Sequence, residues 1–150
     1  MLIPKNYALS NEIAKNAGMH IANFSMLLKD NEDDSVAIKY GACTFINTKS
    51  DRLPKYFYKA IHAGKLADLT DYILLSYLRT ELECSEKNIM DLKIGEPQKI
   101  VVQGKKFVKF NKEFTEAIRD KVITTVDASE FKELNVEGVK LNSKKYMVWY

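Results

Sequence analysis

The sequence predicts an α+β fold in which short helices alternate with β-hairpins. Three observations indicate this class. Apolar residues recur at helical spacing in residues 10–29 and 72–93. Residues 35–47 and 99–110 instead alternate between apolar and polar residues on either side of a two-residue turn, which is typical of hairpins. Each hairpin is followed by a further helical stretch, so the order helix, helix, hairpin, helix occurs twice.

Composition limits the functions that this fold could serve. The chain has 150 residues, of which 46% are hydrophobic and 29% charged, so we expect one domain or two small ones rather than disorder. The net charge of +3 permits a basic patch without requiring a nucleic-acid partner. The N-terminus lacks the layout of a signal peptide and no apolar run approaches 18 residues, which predicts a cytoplasmic protein without a membrane span. The isolated cysteines Cys43 and Cys84 fit a reducing compartment.

The first helix pair organises this reading of the chain. Ser10 is a good N-cap residue for a helix whose small apolar stripe is Ile13, Ala14 and Ala17. Gly18 can adopt the positive φ that a sharp corner requires. A second helix follows over about residues 19–29, with inward-facing residues Met19, Phe24 and either Leu27 or Leu28.

The remaining elements follow in order along the chain. After a polar loop at residues 30–34, the first half continues with a strand over 35–40, a turn at Gly41–Ala42, a strand over 43–47 and a helix over about 53–62. The second half consists of a helix over 72–83, a corner at Glu83–Cys84, a helix over 85–93 capped by Ser85, a strand over 99–102, a turn at Gln103–Gly104, a strand over 106–110 and a helix over 111–121. The tail contains a strand over 122–126, a short helix after Asp127 or Ser129, and a hairpin formed by 136–141 and 144–150.

The two halves can be aligned with each other. Placing Gly18 on Glu83 puts Phe24 on Ile89, and Phe45 meets Phe107 if the second loop is about three residues shorter. Arg79 stands where the first half has a small alanine, which is a departure from the repeat. We therefore predict two tandem units over 1–64 and 65–122, followed by an extension over 123–150 that packs on the second unit or on a partner chain.

The spacing of Ala14, Gly18 and Phe24 resembles the helix-turn-helix family of DNA-binding proteins, and the hairpins extend the resemblance to its winged members. In that family the second helix enters the major groove. The resemblance implies tandem winged helix-turn-helix units that bind double-stranded DNA, as a repressor or other transcriptional regulator of phage, plasmid or bacterial type, or as an origin or partition-site binder. Two units could read two half-sites, and a homodimer would double this. The residues implied as DNA-binding on the two second helices are His20, Ile21, Asn23, Ser25, Met26, Lys29, Lys87 and Asn88.

The second hairpin adds lysines to this candidate interface. Residues 99–112 contain five lysines and no acidic residue. Lys105, Lys106 and Lys109 fall at the hairpin tip and on its return strand, where a wing would follow the phosphate backbone. The alternative is a solvated edge strand that lysines protect from aggregation.

Other interpretations remain open at the level of sequence. Four acidic residues in 30–34 would repel phosphate beside the first recognition helix. They favour an alternative function, in which the chain is an inhibitor or adaptor that docks on another protein. Docking would use this loop or the aromatic tail, by which we mean the C-terminal residues Met147, Trp149 and Tyr150. RNA binding through the lysine-rich hairpin is a third hypothesis with less support, because this hairpin offers only Phe107 and Phe110 for stacking on bases. With His20 and His62 as the only histidines and no nucleophile or phosphate-loop motif, we expect no catalysis, metal or cofactor.

Overall fold

The computed structural model describes residues 1–20 and 33–150, and these form a mixed α+β fold, which confirms the predicted class. The described chain divides into two compact units. We call residues 3–71 with 102–104 the N-terminal unit, and residues 1–2, 72–101 and 105–150 the C-terminal unit. This division does not test the prediction of tandem units over 1–64 and 65–122, because two compact units need not be copies of each other.

The N-terminal unit contains one three-stranded antiparallel sheet and two described helices. Its elements are β1 (Tyr7–Leu9), α1 (Ser10–Asn16), β2 (Ala37–Tyr40), β3 (Cys43–Asn47) and α2 (Lys55–Ile61). The predicted hairpin with its turn at Gly41–Ala42 is confirmed, since Tyr40 pairs with Cys43. One cluster of buried residues in this unit consists of Ala8, Ile13, Ala14, Val36, Ile46, Leu53, Phe57, Ala60 and Ile61.

The C-terminal unit contains two further antiparallel sheets and four helices. Its elements are β4 (Ile73–Leu74), α3 (Leu75–Leu82), α4 (Glu86–Met90), β5 (Gln98–Val102), β6 (Lys105–Lys109), α5 (Lys112–Ile118), β7 (Ile123–Asp127), α6 (Ala128–Phe131), β8 (Glu137–Lys140) and β9 (Lys145–Trp149). Met147 belongs to the same buried cluster as Leu78, Ile89 and Phe114, and Trp149 packs against that cluster. The ring of Trp149 meets Phe114 edge-on at 5.2 Å between centroids.

The three sheets formed by the described residues have the same strand order. In each, the first strand pairs with the last strand of the hairpin, giving β1-β3-β2, β4-β6-β5 and β7-β9-β8. In each, the first strand also leads directly into a helix, α1, α3 or α6. The strand, short helix and hairpin predicted for the tail are confirmed, and the two strands of the hairpin join β7 in a three-stranded sheet with the same topology as the other two.

The direct strand-to-helix junctions change two local predictions. The expectation that Ser10 caps α1 is wrong, because Ser10 is the first helical residue and is buried, while Leu9 holds the N-cap position. Leu9 has extended backbone because it is paired in the sheet with Phe45. In the same way, the helix expected from residue 72 begins only at Leu75, because Ile73 and Leu74 pair with β6.

Candidate nucleic-acid interface

The corner that ends α1 has a specific hydrogen-bond pattern. The amide of Met19 donates to the carbonyl of Ala14 at 2.9 Å, and the amide of Gly18 donates to Lys15 at 3.0 Å. Together with a φ of +69° at Gly18, these bonds form a Schellman motif, which satisfies helix carbonyls that would otherwise lack partners. Among the described residues no atom lies within 4 Å of a Cβ added at Gly18, so glycine is favoured there by φ and not by crowding.

The corner that ends α3 has the same pattern without a glycine. The amide of Cys84 donates to Arg79 at 3.3 Å and that of Glu83 donates to Thr80 at 3.4 Å. Glu83 takes the left-handed conformation, with φ of 49° and ψ of 45°. After this corner, Ser85 caps α4 as predicted by accepting a hydrogen bond from the amide of Asn88 at 3.2 Å. The sequence between Leu82 and Glu86 thus turns the chain from α3 into α4.

The surface beside this second corner is a polar groove of about 610 Å³. It is lined by Ser76, Arg79, Thr80, Glu83, Cys84, Ser85 and Asn88. Arg79, which aligns with the buried Ala14, is exposed here, so the two units differ at this position. Sequence reasoning did not include Arg79 among the candidate contacts, although its exposed position on α3 could have been read from the helical spacing of Leu75, Leu78 and Leu82.

Three lysines of the second hairpin contact other side chains of the C-terminal unit. Glu86, the first residue of α4, accepts from Lys99 Nζ through Oε1 at 3.0 Å and from Lys106 Nζ through Oε2 at 3.2 Å. The hydrogen bonds from these two lysines hold the pKa of Glu86 below its ordinary value. Lys109 lies over the ring of Tyr72, 5.5 Å from its centroid. The hairpin turn at Gln103–Gly104 is confirmed, with φ of 50° and 74°, the positive values that two-residue hairpins favour.

The predicted DNA-binding residues fall into three groups. Ile21, Asn23, Ser25, Met26 and Lys29 lie outside the described residues, as do all but the first two residues of the helix predicted over about 19–29. His20 and Lys87 are exposed, and Asn88 is half-buried on α4. On β6, Lys106 and Lys109 are exposed and Lys105 is half-buried, so the three lysines occupy the predicted tip and return strand.

Part of the acidic loop is neutralised by a basic residue of the same unit. The Asp33 carboxylate forms an ion pair with the Arg52 guanidinium and accepts a hydrogen bond from the Ser35 amide at 2.9 Å. The Ser35 amide and the Arg52 side chain lower the pKa of Asp33 to about 2. Arg52 is one of the few basic residues near the first hairpin. The ion pair therefore offsets a negative charge that would repel phosphate, and it also occupies a positive charge that could contact phosphate.

Within residues 1–20 and 33–150, no three histidine, cysteine, aspartate or glutamate side chains are grouped so that they could hold a metal ion. Over the same residues, none of the helices combines the length and the apolar character needed to cross a membrane.

Comparison with known proteins gives one useful structural likeness. No protein-family model matches the chain, and no curated protein matches it. A chain of a solved structure from Campylobacter jejuni has a TM-score of 0.58 to this one, covering 97% of this chain and 92% of that chain at 13% sequence identity. That structure is described in the words "Novel Regulators CheP and CheQ Specifically Control Chemotaxis Core Gene cheVAW Transcription". At this identity the likeness shows a shared fold.

Proposed function

We propose that the chain binds double-stranded DNA with sequence specificity through tandem winged helix-turn-helix units, and acts as a transcriptional repressor or regulator, or as an origin or partition-site binder. The observation that carries the proposal is the repeated corner. Gly18 and Glu83 end α1 and α3 with the same pair of hydrogen bonds, and each corner lies nine residues after a sheet leucine, Leu9 or Leu74.

The sheets support the same repeat. Leu9 pairs with Phe45 and Leu74 pairs with Phe107, and both phenylalanines are fully buried. Both units therefore contain, in this order, a strand, a helix, a left-handed corner and a hairpin whose second strand pairs with the first strand. In the C-terminal unit, α4 follows the corner as a recognition helix would. Its proposed contacts are Lys87 and Asn88, with the hairpin lysines acting as a wing.

The solved structure of similar fold supports a regulatory role. It is described as concerning regulators that control transcription, and the likeness extends over nearly the whole of both chains.

Residues Asn23, Met26 and Lys29 enter the proposal from the sequence pattern alone. Asn23 can pair with adenine, Met26 can contact a thymine methyl group, and Lys29 can contact phosphate.

Selection from a random duplex library at two salt concentrations tests the proposal. We expect an enriched motif and an affinity that falls with salt, with a slope of about −0.9 per phosphate contact. Asn23→Ala should relax base preference at defined positions. Lys105→Gln with Lys106→Gln should weaken all sequences alike, whereas the control Lys140→Gln with Lys144→Gln should not. Absence of both enrichment and salt-dependent retention would refute DNA binding.

A second candidate function is favoured by the ion pairs. Lys99, Lys106 and Arg52 each contact a carboxylate of their own unit, which reduces the positive charge offered to phosphate. A chain that uses the same scaffold as an inhibitor or adaptor, docking on another protein through the acidic loop or the aromatic tail, needs no such charge. Capture of a specific protein partner together with no retention on duplex DNA would favour this function over the first.

A further inference from the structure

We infer that Glu86 is an electrostatic gate on the proposed DNA surface: it occupies Lys99 and Lys106 until duplex phosphates displace it, and thereby suppresses non-specific binding. This inference rests on the proposed function. Glu86 is not among the residues that the sequence analysis assigned to DNA binding.

The geometry places one carboxylate between two elements of the proposed interface. Glu86 begins α4, while Lys99 lies on β5 and Lys106 on β6. The two carboxylate oxygens are used separately, one for each ammonium group, so one acid engages two lysines at once. Neither lysine can contact a phosphate with the same proton while it donates to Glu86.

The exposure of the three side chains makes displacement feasible. The side chains of Lys99 and Lys106 are 38% and 51% exposed, and that of Glu86 is 27% exposed. Ion pairs at such positions are weak because water and salt screen them. Phosphates can therefore replace the carboxylate, provided that other contacts hold the duplex in place.

This exchange would improve discrimination between DNA sequences. On a duplex of arbitrary sequence, the lysines gain phosphate contacts only by losing Glu86, so they contribute less to affinity than unpaired lysines would. On the preferred sequence, base contacts hold the duplex and compensate for that loss. Specificity depends on the ratio between the two affinities, and Glu86 raises this ratio because base contacts fix phosphates beside both lysines on the preferred sequence, so that the exchange costs less there.

The test uses the full chain, Glu86→Gln and a control, Glu116→Gln. Glu116 forms an ion pair with Arg119 at 3.2 Å within the C-terminal unit. Both variants therefore lose one negative charge, while Glu86→Gln loses two surface ion pairs and Glu116→Gln loses one. A labelled duplex of random sequence is titrated at several salt concentrations. We expect Glu86→Gln to steepen the slope of log affinity against log salt by up to about 2, so that its advantage over the wild type falls roughly tenfold when salt rises fourfold. Glu116→Gln should leave the slope unchanged.

A Lys99→Gln, Lys106→Gln background separates the gate from simple repulsion. If Glu86 acts through the two lysines, adding Glu86→Gln in this background should change the affinity no more than Glu116→Gln does. Tighter binding by Glu86→Gln in this background would overturn the gate in favour of direct repulsion of phosphate. Fluorescence of Trp149 follows unfolding of each variant, so a loss of fold is recognised.

The outcomes distinguish the gate from the proposed function. If the wild type binds duplex with a clear salt dependence and Glu86→Gln matches Glu116→Gln, the gate is refuted and DNA binding stands. If neither the wild type nor Glu86→Gln is retained on duplex at low salt while both remain folded, DNA binding and the gate fail together.

Discussion

The N-terminal and C-terminal units make the same helix-ending corner with chemically different residues. Gly18 adopts φ of +69° at no steric cost, whereas Glu83 adopts φ of 49° with a full side chain. The hydrogen bonds around the two corners are equivalent. The comparison teaches that this corner requires a left-handed residue and its two amide donors, and that glycine is the least strained way to provide them.

The units also differ in how their charges are arranged. In the N-terminal unit Arg52 pairs with Asp33, close to the first hairpin, and in the C-terminal unit Lys99 and Lys106 pair with Glu86 at the start of α4. Both units therefore balance basic residues internally, but only the C-terminal pairings connect a hairpin to a described candidate recognition helix.

The largest expected effect tests whether the two sheets are equivalent. Phe45 and Phe107 are fully buried opposite Leu9 and Leu74. Phe45→Ala and Phe107→Ala should each lower the free energy of unfolding by about 3–5 kcal/mol, because each leaves a cavity in a packed core. Urea unfolding followed by circular dichroism measures the loss, and Phe→Leu variants serve if the alanine variants do not fold. A small loss at one site and a large loss at the other would break the equivalence.

A smaller effect is expected at a contact specific to the N-terminal unit. Glu12 is buried and accepts the amide of Ala67 at 2.6 Å, linking α1 to the segment after α2. Its equivalent in the C-terminal unit by the corner alignment is Tyr77, which has no carboxylate. Glu12→Ala should cost about 1–3 kcal/mol because the half-buried amide of Ala67 loses its acceptor, and Glu12→Gln should recover part of this loss. Equal stability of the two variants in urea would show that the acceptor is unimportant.

The corners themselves should respond in opposite directions. Gly18→Ala should destabilise the chain by about 1 kcal/mol, because alanine is strained at positive φ. Glu83→Gly should stabilise it by about 0.5–1 kcal/mol, since it relieves that strain and forfeits only an exposed ion pair with Lys145 at 3.7 Å. Thermal unfolding at neutral pH measures both changes. Destabilisation by Glu83→Gly would indicate that the glutamate side chain matters more than its backbone.

The smallest expected effect is the contribution of Asp33 to the loss of stability at low pH. The pKa of Asp33 is lowered to about 2 in the folded chain, from an ordinary value near 3.8. Its contribution to stability is therefore complete above about pH 4 and is lost as the pH falls towards 2. Stability measured between pH 5 and pH 2 should fall less steeply in Asp33→Asn than in the wild type. Parallel curves for the two proteins would contradict the lowered pKa of Asp33, and with it the hydrogen bond from the Ser35 amide and the pairing with Arg52.

Local patterns predicted most of the elements, and long-range pairing accounts for the misses. The hairpin turns, the Ser85 cap and the corner at Glu83 depend on residues close together in sequence, and all were found. The strands β1 and β4 were missed because they contain three and two residues and run into helices without a turn residue. They exist because they pair with β3 and β6 more than 30 residues away.

The same limit applies to the candidate site. The sequence analysis placed Lys99, Lys105, Lys106 and Lys109 on a hairpin, but it did not identify Glu86 as the partner of Lys99 and Lys106. Glu86 lies 13 residues before Lys99 and 20 before Lys106, and only the packing of α4 beside the hairpin brings these charges together. The Asp33–Arg52 pair spans 19 residues and was hidden for the same reason.

The most direct test of the account is an NMR titration of the isotope-labelled full chain with a selected duplex. We predict that amide resonances move at residues 19–29, at Ser85–Asn88 and around Lys105–Lys109, while those of β8 and β9 stay in place. Resonances that do not move at any of the three predicted places, or that move only in β8 and β9, would contradict binding of DNA by helix-turn-helix units.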